Sequence, residues 1–387
     1  MGWLTVRDFG ERRTSALVED QIEQQACRFA LRRQADDRGQ EHRDALPAPD
    51  GDSTPGETDE AVSDALQAIG RRHGRDARFR HARLALRRQI SGDGTDPVRK
   101  ESEVFALTGQ VGSPRGRVIP VGWSGKGSGL DQLRDEALLA RLDWLVSAGD
   151  RAEPGAVLST PAVLSTQAAA VMLHEAIGHY VEAADDPRVD LSHRLGKRIA
   201  TEHFDLFDDP QAEDGAAAYG CDDEAIEVLG PTRIVEQGVV VAQLHSRQSA
   251  RLAGVLSSGN GRAGVWSRPQ ARMSNLVCAP GSSSDPDLIE RLWSGLLIHQ
   301  LAHGYGQGAD IEARVVLAER VERGRTTGCY LGGFRVVEKI DLFLRTVALG
   351  DQPRANPNAM CGKGGQVLFD VGTIAPSVLL SRIELRP

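Results

Sequence analysis

The feature that most constrains this chain is a charged trio set inside an apolar helical pattern. Residues 171–186 read VMLHEAIGHYVEAADD. Ala169, Ala170, Val171, Leu173 and Ile177 supply a face fit for burial, yet His174, Glu175 and His179 stand in its middle. Charge buried without a partner is costly, so the fold has to bring compensating groups to this segment. The two histidines are five residues apart. At about 100° per residue they project about 140° apart on an ideal α-helix and cannot share a target. A π-bulge reduces that angle to roughly 50°. Gly178 lies where such a distortion is easy and leaves room for another segment to approach closely. The HExxxH spacing therefore predicts a helix that is locally underwound, with both imidazoles turned to one side.

Two imidazoles and an intervening carboxylate on one helix are the parts of a hydrolytic metal site. The commoner spacing, HExxH, places the histidines on one face without distortion. Zinc in such sites usually takes three protein ligands and keeps a fourth position for water. The residues alone leave the third ligand open. Glu182 lies three positions after His179, and His193, His203, His245, His299, His303 and Cys361 are the other candidates. Cys361 sits in NAMCGKGGQVLFD, where Gly362, Gly364 and Gly365 allow tight turning and Lys363 favours a thiolate. The plainer readings are two unrelated histidines on a buried helix and an inert loop thiol.

Composition narrows the class. A length of 387 residues suits two domains, and 40% hydrophobic residues can fill a sizeable core. A net charge of -8 argues against a general affinity for nucleic acid. The longest apolar runs fall far short of the ~18–20 residues of a membrane helix. The N-terminus, MGWLTVRDFGERRTS, has acidic residues early and no apolar core of a signal peptide. Five scattered cysteines argue against a disulfide framework and for a reducing compartment.

Along the chain, residues 15–34 have helical spacing of Leu17, Ile22, Phe29 and Leu31. Residues 35–60 are almost devoid of apolar side chains and read as a polar loop. Helices are expected at 60–72 and 78–90, the second with an arginine-rich solvated face. From residue 103 VFALTG and GRVIPVGW read as strands, followed by an amphipathic helix at 130–148. Residues 158–163 form a strand-like run and 165–184 a helix. Beyond residue 201, runs such as TRIVEQGVVVAQLH, ARVVLAERVERGR and GQVLFDVGT predict a large, mostly antiparallel sheet or barrel-like core. The expected class is α+β: a helical and α/β domain over 1–155, then a β-rich domain over 156–387 carrying the site helix.

With HEAIGHYVEA followed much later by MCGKGGQ, the chain resembles the TldD/PmbA metallopeptidase family. Between them CDDEA, IVEQGVVVAQLHSRQSARLAG, SSGNGRAG and ARMSNLVCAPG resemble family segments in the same order. The resemblance covers roughly residues 158–387. It implies Zn2+ bound by His174, His179 and Cys361, with Glu175 as the catalytic carboxylate. It also implies an N-terminal α/β domain, a cytoplasmic homodimer or heterodimer with a related subunit, and peptide substrates. In paired systems one subunit lacks the metal motif, and this chain carries it. The chain departs from the family in a shorter, unplaced front and in LAHGYGQGAD, where a Phe-Gly-Gly-Gly segment is usual.

The expected chemistry is hydrolysis of a peptide amide by metal-activated water, with Glu175 as general base. Arg262, Arg272 and His245 are candidate oxyanion donors, with loop-stabilising roles as the plain alternative. A Glu or a backbone carbonyl is expected to orient the free ring nitrogens of the histidines. The shortened front and altered glycine segment also admit an amidase acting on a small amide-containing molecule such as a natural product. A non-catalytic partner subunit is a third reading, and the intact motif counts against it.

Overall fold

The structure, a computed structural model of the chain, describes the backbone of residues 3–16, 26–27, 68, 78–91, 98–112, 115, 117–127 and 130–387, apart from 156–157, 185–194, 265–266 and 308–309. Side chains are described from Val104 onward, with short breaks. The polar loop expected at 35–60, most of the helices expected at 15–34 and 60–72, and His193 lie outside the described residues.

Strands β1 (Trp3–Ala16), β2 (Ala26–Cys27), β3 (Arg78–Ser91), β4 (Val98–Gly112) and β5 (Val118–Lys126) form an antiparallel sheet in the order β2-β1-β3-β4-β5. The helix expected at 78–90 is thus the strand β3, paired on both sides. The signal is a period of two: Ala82, Leu84, Leu86 and Ile90 alternate with Arg83, Arg87 and Gln89. The arginines also fit a solvated helix face, and that fit hides the alternation. Ala26 and Cys27, inside the expected first helix, are likewise in a strand.

Two helices cover the sheet, α1 (Leu130–Arg134) and α2 (Glu136–Arg151), in place of the one continuous helix expected. Asp135 makes the break. Its side chain accepts hydrogen bonds from the backbone N–H groups of Ala137 (2.8 Å) and Leu138 (3.3 Å) and so caps a new helix. Leu133, Leu142 and Val146 pack on Phe105, Leu107, Val111 and Trp123 of the sheet.

The larger sheet closes on itself. β7 (Leu158–Leu164) pairs with β14 (Ser294–Gln307) in parallel and with β23 (Val378–Arg386) antiparallel. β23 pairs with β17 (Phe334–Lys339), β17 with β15 (Asp310–Glu322), and β15 back with β14, all antiparallel. The result is a small barrel, as the repeated β runs predict, and closure leaves few free edges. β6 (Glu153–Pro154), β16 (Arg325–Gly332) and β18 (Thr346–Leu349) extend it, and the helix α6 (Asp285–Leu292) packs outside against β7 and β23.

A second sheet runs β10-β9-β8-β13-β22-β19. Its members are β8 (Leu206–Asp208), β9 (Thr232–Glu236), β10 (Val239–Val240), β13 (Asn275–Cys278), β19 (Arg354–Ala355) and β22 (Gly372–Ala375). The helix α3 (Thr166–Leu173) touches both β14 of the barrel and β22 of this sheet. Ala168, Ala169 and Ala170 are fully buried there, and their small side chains allow strands to approach on both sides. The main core, from Leu164 through Ile177 to Leu380, surrounds that helix. No helix among the described residues is long and apolar enough to cross a membrane.

Candidate metal centre

The site helix is anchored before it distorts. Ser165 caps α3, accepting from Ala168 N–H (3.2 Å) and donating from its Oγ to the carbonyl of His299 (2.9 Å). Gln167 exchanges two hydrogen bonds with the backbone of Leu301. These tie the helix start to β14. Next, residues His174–Gly178 form a π-helical turn, and α4 (His179–Val181) follows. This is the underwinding that the five-residue spacing demands. Gly178 is required by packing: a Cβ there would lie 2.1 Å from Met273 Sδ and 2.6 Å from a Leu276 methyl.

The turn brings the His174 and His179 rings to a centroid distance of 4.7 Å. Cys361 reaches them from 182 residues downstream of His179, with its Sγ 3.0 Å from His174 Nε2 and 3.3 Å from His179 Nε2. All three donor atoms lie within 4.8 Å of one another, and this is the one group of such donors close enough to hold an ion among the described residues. Cys361 begins a tight hairpin, β20 (Cys361–Lys363) against β21 (Gln366–Leu368). Gly364 and Gly365 form its two-residue turn with φ of 58° and 79°, the left-handed pair that a twisted hairpin needs. The glycines thus serve the turn that presents the thiol.

Glu182 is not part of the donor group. Its side chain is fully buried, and Oε2 sits 3.0 Å from His179 Nδ1. A carboxylate only accepts, so Nδ1 carries a proton, and Nε2 is the nitrogen that faces Cys361. Glu182 also accepts from Arg272 Nε (3.3 Å), from the Met273 N–H (2.9 Å) and from Lys363 Nζ. Burial alone would push its carboxyl up, but Lys363, His179 and Arg272 hold it well below the ordinary carboxylate range. Lys363 therefore serves Glu182 and the His179 carbonyl (2.9 Å), where the sequence suggested an effect on the thiol.

The imidazoles differ. Burial lowers the pKa of His174, which favours the neutral ring a ligand needs, against the opposing charges of Glu175 and Glu182. Burial acts on His179 too, but Glu182 and the hydrogen bonds to Cys361 and Glu182 outweigh it and raise its pKa.

Glu175 lies next along the π-turn and against β14. A Cβ on Gly304 would come within 2.7 Å of Glu175 Cγ and Oε1, and Gly306 faces the same side chain. β14 is bulged between Ala302 and Tyr305 at this point. Gly304 and Gly306 of the LAHGYGQGAD segment thus form the wall on which the carboxylate rests.

The remaining candidates serve elsewhere. Arg262, buried on β11 (Gly261–Arg262, paired with β12, Gln270–Ala271), donates to the Met273 carbonyl (2.9 Å) and to Asp370 Oδ1 (2.6 Å). Its role is the loop-stabilising alternative. Arg272 is fully buried and reaches the centre from behind. His245 Nδ1 lies 3.3 Å from Ser249 Oγ at the start of α5 (Arg247–Ala253). His299 pairs with Glu319 (3.0 Å) and packs edge-on against Trp144. His203 is exposed beside Glu202. His303 is in β14, with its side chain outside those described.

Buried carboxylates tie the CDDEA, SSGNGRAG and ARMSN segments together. Asp222 Oδ1 accepts from Glu224 and Ile226 N–H, and its Oδ2 from Gly261 N–H. Asp208 Oδ2 accepts from Asn260 Nδ2 (2.8 Å) and Ser274 Oγ (2.7 Å). The carboxylate expected to orient a histidine is Glu182, three residues from His179, whereas sequence spacing could not reveal the roles of Arg272 and Gly304, because their partners are distant in the chain.

Residues 158–386 match the sequence profile described as the PmbA/TldA metallopeptidase C-terminal domain. A metalloprotease of Methanocaldococcus jannaschii is 31% identical over 209 residues, 53% of this chain and 46% of that protein. A metalloprotease TldD homolog of Buchnera aphidicola, strain APS, is 30% identical over 241 residues, 58% and 47% respectively. The chain thus matches about half the length of these relatives. Its fold is similar to that of TldE from Thermococcus kodakarensis, with a TM-score of 0.70 at 14% identity over 100% of this chain and 96% of that one.

Proposed function

The chain belongs to the PmbA/TldD metallopeptidase family, and from that premise we propose that it is a zinc-dependent peptidase with Glu175 as its general base. The observation that carries the reading is the convergence of His174, His179 and Cys361 across a π-turn and a distant hairpin. The 3.0 and 3.3 Å gaps from the two imidazole nitrogens to Cys361 Sγ bring the three donors to one place, where together they could hold one ion. Two neutral imidazoles and a thiolate form a donor set that zinc favours over harder cations.

A zinc ion bound there supplies Lewis acidity, polarising a carbonyl and acidifying water. The chain does the rest. Glu175, held on the glycine wall of β14, takes the proton of the attacking water on a carboxylate oxygen and passes it to the leaving nitrogen. Glu182 keeps His179 in the tautomer that directs Nε2 inward. Arg262 and Arg272 are engaged in buried hydrogen bonds, so oxyanion stabilisation falls to other groups. By family resemblance the substrate is a peptide and the working form is a dimer in the cytoplasm.

The test is hydrolysis of an unstructured peptide by purified protein, with Glu175→Gln alongside. Cleavage by the wild type, abolished by the variant at unchanged zinc content, is expected. A Glu175→Gln protein that cleaves normally contradicts the assignment of the base.

A further inference from the structure

One fully buried guanidinium contacts Cys361 directly and reaches His179 through Glu182. Arg272 Nη2 donates to Cys361 Sγ (3.1 Å) and to the Cys361 carbonyl (3.2 Å). Nη1 donates to Gln366 Oε1 (2.9 Å), directly across the hairpin turn from Lys363. Nε donates to Glu182 Oε1 (3.3 Å), and Glu182 in turn receives His179 Nδ1. Gln366 is itself fixed, donating to the carbonyls of Arg262 (3.1 Å) and Arg268 (2.8 Å). The planar fork of arginine presents its donors in fixed directions, which a single ammonium cannot do.

We propose that Arg272 is a positioning residue for the metal centre, setting the place of Cys361 Sγ directly and the His179 ring through Glu182. The proposal rests on the reading of His174, His179 and Cys361 as ligands. Residues behind a ligand that fix its direction commonly carry one to two orders of magnitude of metal affinity. Here the same side chain serves two ligands that approach from opposite ends of the domain sequence. Burying a cation is tolerated because Glu182 offers a compensating carboxylate at 3.3 Å. Arg262 makes the natural comparison. It is also buried and also ion-paired, to Asp370, but it donates to Met273 and Asp370 and to none of the three ligands.

The experiment is cobalt(II) titration of the metal-free full chain, with affinity from chelator competition and ligand geometry from the thiolate-to-cobalt absorption band. Wild type, Arg272→Lys, Arg262→Lys and Glu182→Gln are compared, each with its melting temperature. Arg272→Lys is expected to bind cobalt about 10- to 100-fold more weakly with an altered sulfur band, while Arg262→Lys loses stability but keeps affinity and spectrum. Equal affinity and spectrum in Arg272→Lys and wild type overturn the proposal. So does equal weakening in both arginine variants, which makes the effect one of general stability. If Arg272→Lys does not fold, Glu182→Gln decides: an altered band supports the relay to His179, and an unchanged one overturns it. Wild type that binds no cobalt overturns the ligand reading itself, and the proposal with it.

Discussion

At the scale of single residues, the centre is defined as much by absent side chains as by present ones. Gly304 has no Cβ where Glu175 needs to lie, and a methyl there would fall 2.7 Å from both Cγ and Oε1. Gly304→Ala is therefore expected to displace the carboxylate and lower turnover by roughly 10- to 100-fold without changing bound metal, as read by peptide cleavage beside elemental analysis. Unchanged turnover would mean that the carboxylate does not depend on this wall. Gly178→Ala forces a methyl onto Met273 and Leu276 and is expected to cost about 1–3 kcal/mol, measured by chemical denaturation. The meeting of His174 and His179 was legible in the sequence through a spacing that only an underwound helix reconciles, whereas the residues alone left Cys361 one candidate among several and only the family resemblance singled it out. Glu182 was legible only as a nearby acid. Its partner His179 is local, but its other partners, Arg272 and Lys363, lie 90 and 181 residues away, beyond any local pattern.

At the scale of elements, the strand that ends the N-terminal sheet reaches the hairpin that bears the thiol. Ser124 of β5 donates from its N–H to the Pro357 carbonyl (2.9 Å) and from Oγ to Asn358 Oδ1 (2.9 Å), and accepts from Ala359 N–H (2.7 Å). Ala359 is two residues before Cys361. Ser124→Ala is expected to cost about 1–2 kcal/mol and to raise the rate at which a chelator removes metal. An unchanged removal rate would show that the hairpin holds its place without the N-terminal sheet. The contrast with β3 is instructive. Its period-two apolar face was in the sequence, but arginines at helical spacing masked it. The π-turn was legible because its two polar markers sit within one turn of helix. The Ser124 contact was not, because hydrogen bonds between distant loops leave no periodicity.

At the scale of the whole molecule, a closed barrel and a second sheet enclose one short helix, and the ligands converge at the end of that helix. The barrel was legible as repeated β runs, whereas its closure through the parallel pairing of β7 with β14 was not. Enclosure has a proton consequence. His179 holds its proton to higher pH than a free imidazole, whereas His174 gives its proton up more readily. Metal must displace the proton on His179, so affinity is expected to rise with pH through and just above the usual imidazole range. Calorimetry in buffers of different ionisation enthalpy checks this, and a heat independent of buffer contradicts it. The most direct test of the whole account is metal content of the purified protein beside Cys361→Ala and His174→Ala. Zinc near one equivalent per chain in the wild type, as a three-ligand centre requires, and lost in both variants, is the predicted result. A wild-type protein that takes up no zinc when supplied with it, or a Cys361→Ala protein that retains it fully, would contradict the centre described here.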